Sequence, residues 1–393
     1  MLTLKANQLL VMGKINYRES NHALVLTGGG ARAAYQVGVL NAIAQFVPRN
    51  HGIPFPIICG TSAGSINASS LACYASCFHL GIKKLEWVWK NLTTDQIYKS
   101  DISQVVSYLS QGVFASFQAD YANKTPHSIL NNDPLRELLN RVVDFKRIDK
   151  NILKGHLSAL SITASSYTTG DSISFYQSHQ RTEPWKRAKR RGVNSQINCD
   201  HLMASSAIPM VFPSVKIALE HFGDGSVHQL SPLSPAIHLG AKKIFIIGVE
   251  QPKEPRYKLE NNPHPPSIAT VAGHMLDSIF ADTLMSDLER MQRINATLKL
   301  IDNEQLSQYE GLTHIDNFLI NPSHDFNTIA MQYYDKLPLS VRMLLRTVGI
   351  SDDSESSIIS YLLFDKSYCQ DLIKLGFNDA LEKEQEIRAF LSL

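Results

Sequence analysis

Residues 26–43 read LTGGGARAAYQVGVLNAI. An apolar run, HALVLT (22–27), enters three consecutive glycines, and a helical pattern over 31–47 follows at once. A glycine-rich turn from strand to helix offers backbone N–H groups beside the positive end of a helix, which suits a negative charge. Two kinds of charge fit. One is a phosphate held permanently; the other is an oxyanion that exists only during a reaction.

A dinucleotide site asks for GxGxxG and an acidic residue about 20 positions on, for the ribose hydroxyls. Gly28 and Gly30 are present, but Ala33 stands at the third place, and no Asp or Glu occurs between Glu19 and Glu86. A P-loop asks for GK[ST] after the glycines, and none follows. What remains is an oxyanion hole built from the N–H groups of Gly29, Gly30 and their neighbours, with Arg32 close by.

A second strand-to-helix turn lies downstream. FPIIC (55–59) reads as a buried strand, 63–79 as a helix, and between them stands GTSAG (60–64). In this context G-x-S-x-G describes a nucleophile elbow. Gly60 and Gly64 omit side chains where strand and helix approach, and Ser62 is lifted out at the helix N-terminus. An ordinary tight turn whose serine caps the helix would carry the same letters. A serine nucleophile also needs a base. None of the 14 histidines has a distinctive setting. FGDGS (222–226) places Asp224 in a glycine-flanked turn. Spacing alone does not separate a catalytic carboxylate from a β-turn aspartate bonding its own backbone, and slightly favours the turn.

Further strands read at HLSALSITASSY (156–167) and SISFYQ (172–177), as a hairpin, and at KKIFIIGVE (242–250). Strands alternating with helices predict an α/β sheet covered on both faces, with ligands at its C-terminal edge. QPKEPRYKLENNPHPPS (251–267) reads as an exposed connection, 268–296 as a helix, and SDDSESS (351–357) as a polar stretch. In the terminal helix, Ile387, Phe390 and Leu391 share one face, which is expected to pack on the body.

Of 393 residues, 44% are hydrophobic and 19% charged, enough to bury a sizeable core. The net charge of +2 gives no reason to expect a nucleic-acid partner. The apolar run Leu9–Gly13 is too short for a signal-peptide core, and no run approaches the roughly 18 apolar residues of a membrane span. The five cysteines are odd in number and form no CxxC pair, so neither a disulfide framework nor a zinc site is expected. Cys73 and Cys77, one helical turn apart, read as small buried residues. A cytoplasmic location is expected, with export lacking a cleaved signal left open. RTEPWKRAKRR (181–191) holds six basic residues around Trp185. It reads either as a membrane-surface patch of Trp185, Lys186, Arg187, Arg190 and Arg191, or as a solvated loop.

GGGARAA, GTSAG and DGS, in this order, resemble the patatin-like phospholipase family. ASSAIPMVFPSV (204–215) before FGDG, and SPLSPAIHLGAKKIFIIGV (231–249) after it, extend the resemblance over about residues 23–250. The resemblance implies a patatin-like three-layer α/β/α fold with a central, mainly parallel sheet. The expected division is an N-terminal segment (1–21), a catalytic domain (22–250) and a mainly helical C-terminal region (251–393) packed on it. It also implies a Ser-Asp dyad without a catalytic histidine. Ser62 would be the nucleophile and Asp224 the base. Gly28, Gly29, Gly30 and Arg32 would bind the oxyanion, and Gly225 and Ser226 would complete the aspartate motif. Two positions depart from the family's pattern: Ala33 often is Gly, and Ser226 usually is Gly or Ala. The implied substrates are phospholipid or lysophospholipid esters, with no metal and no cofactor. Smaller or neutral acyl esters, or lipid binding without catalysis, are the alternatives. Oligomeric state is left open.

Overall fold

The computed structural model describes residues 21–99, 128–179, 182–249, 283–301, 312–347 and 358–393. The expected N-terminal segment up to residue 20, the connection 251–267, the first part of the expected helix 268–296, and the polar stretch 351–357 lie outside the described residues.

The strand HALVL is β1 (His22–Leu26), buried along its whole length. It pairs in parallel with β2 (Ile57–Thr61), and β2 pairs in parallel with β3 (Ala159–Ser166). β3 turns back antiparallel into β4 (Ser172–Ser178), the expected hairpin. Beyond β4 come the two-residue β5 (Lys186–Arg187) and β6 (Arg190–Asn194), with β6 parallel to β4. A short hairpin, β7 (Val215–Ile217) and β8 (Glu220–Asp224), joins the end of β3 antiparallel. On the other side of β1 lies β9 (Lys243–Ile247), and beyond it β10 (Asp316–Ile320), both parallel. The order through the sheet is β10-β9-β1-β2-β3-β4-β6-β5.

Why Ala23–Leu26 of β1 and Ile57–Cys59 of β2 are apolar without a break follows from what covers them. Successive side chains on a strand point to opposite faces. Leu24, Leu26 and Ile58 join a large core on one face, while Ala23, Val25, Ile57 and Cys59 join a second core on the other. The larger face carries α1 (Ala34–Phe46), α2 (Ala63–Cys73), α3 (Phe78–Lys90), α4 (Asp133–Val142) and α5 (Phe145–Leu153). The short helix α6 (Cys199–Ser205) packs beside β3. The smaller face is covered by α7 (Ser234–His238) and α8 (Leu284–Leu298), through Ala236, Leu284, Leu288 and Met291. The result is the three-layer α/β/α arrangement expected from the sequence.

The C-terminal region does more than pack on the outside. β10 supplies an edge strand of the sheet. The helices α9 (Phe326–Met331), α10 (Leu339–Thr347), α11 (Ile358–Leu362), α12 (Lys366–Glu382) and α13 (Glu384–Leu391) close the larger face. α1 is therefore a buried layer between the sheet and α12. Two glycines allow the two helices to touch: a Cβ on Gly38 would lie 2.0 Å from the Ile373 carbonyl, and one on Gly376 would lie 2.2 Å from that of Tyr35. The Tyr35 hydroxyl donates to Asp379 across the same seam at 2.9 Å. Ile387 and Leu391 are buried, and Phe390 packs on Phe245 and Phe318, as the apolar face of the last helix predicts.

One helix is shorter than its apolar pattern suggests. Instead of running to residue 79, α2 ends at Cys73, and Cys77 stands at the N-cap of α3. The chain reverses here: the Ile53 N–H donates to the Ala75 carbonyl, and the Phe78 N–H to that of His51. Cys73 and Cys77 are thus not neighbours on one helix; Cys73 is buried and Cys77 half-buried.

Candidate active site

β2 delivers the chain into the turn before α2, and the backbone there is left-handed: Ser62 has φ 52° and ψ −130°. A side chain at such φ costs on the order of 1–3 kcal/mol and persists only where its surroundings enforce it. The flanking glycines are part of that enforcement. A Cβ on Gly60 would stand 2.5 Å from the Gly64 carbonyl, and one on Gly64 would stand 2.4 Å from the Leu26 carbonyl. This is the close strand–helix approach expected of the elbow.

The Ser62 backbone is held further by a residue not foreseen. Its N–H donates to Oγ of Ser205 at 2.9 Å, and that hydroxyl donates in turn to the Thr163 carbonyl at 2.6 Å. Ser205 ends α6, far away in sequence, and nothing in its local pattern marks it.

Ser62 and Asp224 meet. The Ser62 hydroxyl donates to Oδ2 of Asp224 at 2.6 Å, although 162 positions separate them. Both are buried, Asp224 completely. β8 carries Asp224 alongside the end of β3, where its own N–H donates to the Ala207 carbonyl at 2.8 Å. The other carboxylate oxygen accepts the Ser226 N–H at 2.9 Å. So the turn-aspartate bond and the serine contact coexist in one side chain. Among the described residues no histidine hydrogen-bonds either group. Burial pushes the Asp224 carboxyl up to about 6, against the opposing hydrogen bonds from Ser62 and Ser226. Gly225 lets the chain turn past β3: a Cβ there would lie 2.3 Å from the Thr163 carbonyl.

The glycine loop lies alongside. A Cβ on Gly28 would meet Oγ of Ser226 at 2.6 Å and Cβ of Ser62 at 3.0 Å. A Cβ on Gly29 would meet Val249, and Gly30 has φ 54°, where a Cβ would stand 2.3 Å from the Tyr361 carbonyl. Two buried amides brace this loop. Gln36 donates to the Thr27 carbonyl at 2.8 Å, and Asn67 donates both to Gln36 and to the Ala33 carbonyl.

Arg32 makes contacts with the C-terminal helices. Its Nε donates to Ser360 at 2.8 Å and one Nη to Asn327 at 2.9 Å, while the guanidinium stacks over the Tyr361 ring at 4.2 Å. It is buried against α9 and α11, and these two donors tie the glycine loop to the C-terminal helices.

From Ser62 a cavity opens into the larger core. Gly30, Ser62 and Ser206 line it together with Ile66, Leu85, Trp89, Leu92, Leu139, Val142, Ile208, Phe212 and Phe364. Its walls are overwhelmingly apolar. The sequence reading did not identify this cavity, because its wall comes from segments scattered between residues 30 and 364.

A strained serine, a buried carboxylate, a glycine loop and an apolar cavity now stand together in an α/β/α fold. The family model described as Patatin-like phospholipase matches residues 24–237. The chain belongs to the patatin-like phospholipase family. No curated protein matches it. Membership carries lipid acyl hydrolysis as the general activity and a lipid as the general substrate.

Within the segment 181–191 of this patatin-like chain, Trp185 does not stand at the surface. Trp185 is buried, stacked between Tyr176 at 4.9 Å and His238 at 4.7 Å, with Gly192 beneath it. A ring held in that way is not available to a lipid headgroup layer. Arg191 is engaged as well, with Asp171 at 3.1 Å and Glu220 at 3.1 Å. Lys186 and Arg187 are exposed, and Arg190 is half-buried. Among the described residues no helix is long and apolar enough to cross a membrane.

Proposed function

We propose that Ser62 and Asp224 form the catalytic dyad of a serine hydrolase that cleaves phospholipid or lysophospholipid esters through an acyl-enzyme. The observation that carries this reading is the 2.6 Å hydrogen bond from the Ser62 hydroxyl to the buried Asp224 carboxylate, at the head of an apolar cavity.

The substrate's acyl tail occupies that cavity and brings the ester carbonyl to Ser62. As Oγ forms a bond to the carbonyl carbon, its proton passes to Oδ2 of Asp224. The carbonyl electron pair becomes an oxyanion, which the N–H groups of Gly29 and Gly30 receive, beside Gly28. One such donor typically contributes on the order of 3 kcal/mol. Collapse expels the alcohol, which leaves with the proton from Asp224, and the acyl group remains on Ser62. Water then attacks the acyl carbon while giving a proton to Asp224. The second tetrahedral species releases the fatty acid and returns the proton to Oγ. A carboxylate raised to about 6 is a stronger base than an ordinary aspartate, and closer to the pH at which it works.

Gly60 and Gly64 serve the elbow, and Gly225 and Ser226 hold the aspartate turn. We assign residues 22–250 as the catalytic domain and 251–393 as a C-terminal region whose described helices pack on it and which contributes the edge strand β10. Product profiling on a mixed lipid extract tests the assignment. Wild type should release free fatty acid and a lysolipid or glycerophosphodiester, and Ser62→Ala should release neither. Release of acyl groups only from small, soluble esters would favour the alternative substrate class.

A further inference from the structure

We infer that three hairpin turns at the sheet edge beside Ser62 form a docking surface for an anionic lipid bilayer. The inference rests on the proposed lipid hydrolysis, because it supplies the way an enzyme of this kind would meet its substrate in a membrane.

Topology brings the turns together. β2 and β3 are parallel, with Thr61 paired to Thr163, so Ser62 and the turn after Ser166 leave the sheet at one edge. The β3–β4 turn (167–171) ends there. β6 begins beside the start of β4, Arg190 opposite Ser172, which puts the β5–β6 turn at the same edge. Phe222 lies opposite Ser166, which adds the β7–β8 turn. Cross-bonds join them: the Tyr167 N–H donates to the His221 carbonyl, the His221 N–H to Oγ1 of Thr168, and the Ser172 N–H to the Lys189 carbonyl.

The surface is cationic. Over residues 167–171, 186–191 and 215–221 it has six Lys and Arg (Lys186, Arg187, Lys189, Arg190, Arg191, Lys216) against the two carboxylates Asp171 and Glu220. Arg191 takes up both carboxylates. Lys186, Lys189 and Lys216 are exposed, and no ion pair holds them among the described residues. Apolar side chains project from the same ground. Leu219, at the tip of β7–β8, is 90% exposed and follows the left-handed Ala218. Tyr167 is 46% exposed and its ring covers Gly223, next to Asp224.

Protruding apolar tips beside exposed lysines match a bilayer with anionic headgroups: the tips enter the interface, and each Lys near the surface is drawn to the headgroup charge.

Sedimentation with vesicles tests the surface without consuming the lipid. The full chain carrying Ser62→Ala is mixed with phosphatidylcholine vesicles, with or without phosphatidylglycerol, at about 0.1 M salt. It should bind the anionic vesicles at least about tenfold more tightly than the neutral ones. Adding Lys186→Glu, Lys189→Glu and Lys216→Glu should remove that preference, and adding Leu219→Ser alone should weaken binding at unchanged salt dependence. In the Ser62 background these surface variants should hydrolyse a water-soluble short-chain ester at the parental rate, which shows that they fold. Equal vesicle binding by parent and triple variant overturns the inference. So does absence of binding, or a self-association abolished by the same substitutions. Failure of the parental enzyme on the soluble ester counts against the dyad instead and leaves the sedimentation result standing.

Discussion

The backbone N–H of Ser62 donates to the Ser205 hydroxyl at 2.9 Å, so the strained turn that lifts the candidate nucleophile is pinned to α6 and, through Ser205, to the carbonyl of Thr163 on β3. Removing the hydroxyl leaves a buried donor and a buried acceptor unpaired, at a cost of about 1–3 kcal/mol. Ser205→Ala should therefore melt several degrees lower. It should also lose turnover on a soluble ester with little change in KM, since the serine rather than the substrate cavity is displaced. An unchanged kcat would show that the elbow holds itself.

Asp224 fixes the pH dependence. Its carboxyl titrates near 6 in the folded protein, against 3.8 ordinarily. The base form is required, so kcat/KM should rise with pH and level off above about 6. Stability should run the other way. The folded state binds the extra proton between 3.8 and about 6, so stability falls as pH rises through that window. The shift corresponds to about 3 kcal/mol. Asp224→Asn should be inactive yet melt higher than wild type at pH 8, with the difference vanishing below pH 4. Thermal melts across pH check this, and an Asn variant less stable at pH 8 would contradict it.

Arg32 ties the glycine loop to the C-terminal helices through Ser360, Asn327 and the Tyr361 ring. Arg32→Ala should lower both melting temperature and turnover, and Arg32→Lys should recover little, because an ammonium cannot reproduce the planar fork. A variant that lost turnover at full stability would place Arg32 at the oxyanion site.

Gly376 faces the Tyr35 carbonyl so closely that a methyl group has no room. Gly376→Ala should force α12 away from α1 and cost about 1–3 kcal/mol. The effect is read from denaturant midpoints; an unshifted midpoint would mean that the seam is looser than described.

Local patterns exposed much of this fold. β1, β2 and β9 lie close to where apolar runs placed them, because strands buried on both faces read as near-continuous apolar runs, and β3 and β4 lie where apolar residues alternate with small polar ones. Ser62, Gly60 and Gly64 were legible because an elbow needs small residues at fixed spacing. Asp224 was not decided by its own turn, since the partner that distinguishes it sits 162 residues away. Long sequence separations likewise hid Ser205, β10 and the cavity wall. Trp185 misled because an aromatic side chain among basic residues reads as surface until its buried partners, Tyr176 and His238, are known, and the contacts of Arg32 with Ser360 and Asn327 were hidden in the same way.

Covalent labelling by a fluorophosphonate probe, mapped by peptide mass spectrometry, tests the dyad most directly. The account predicts a single labelled residue, Ser62, and labelling slowed by on the order of a thousandfold or more in Asp224→Asn. Labelling at another serine, or an Asp224→Asn protein that labels Ser62 at the wild-type rate, would contradict it.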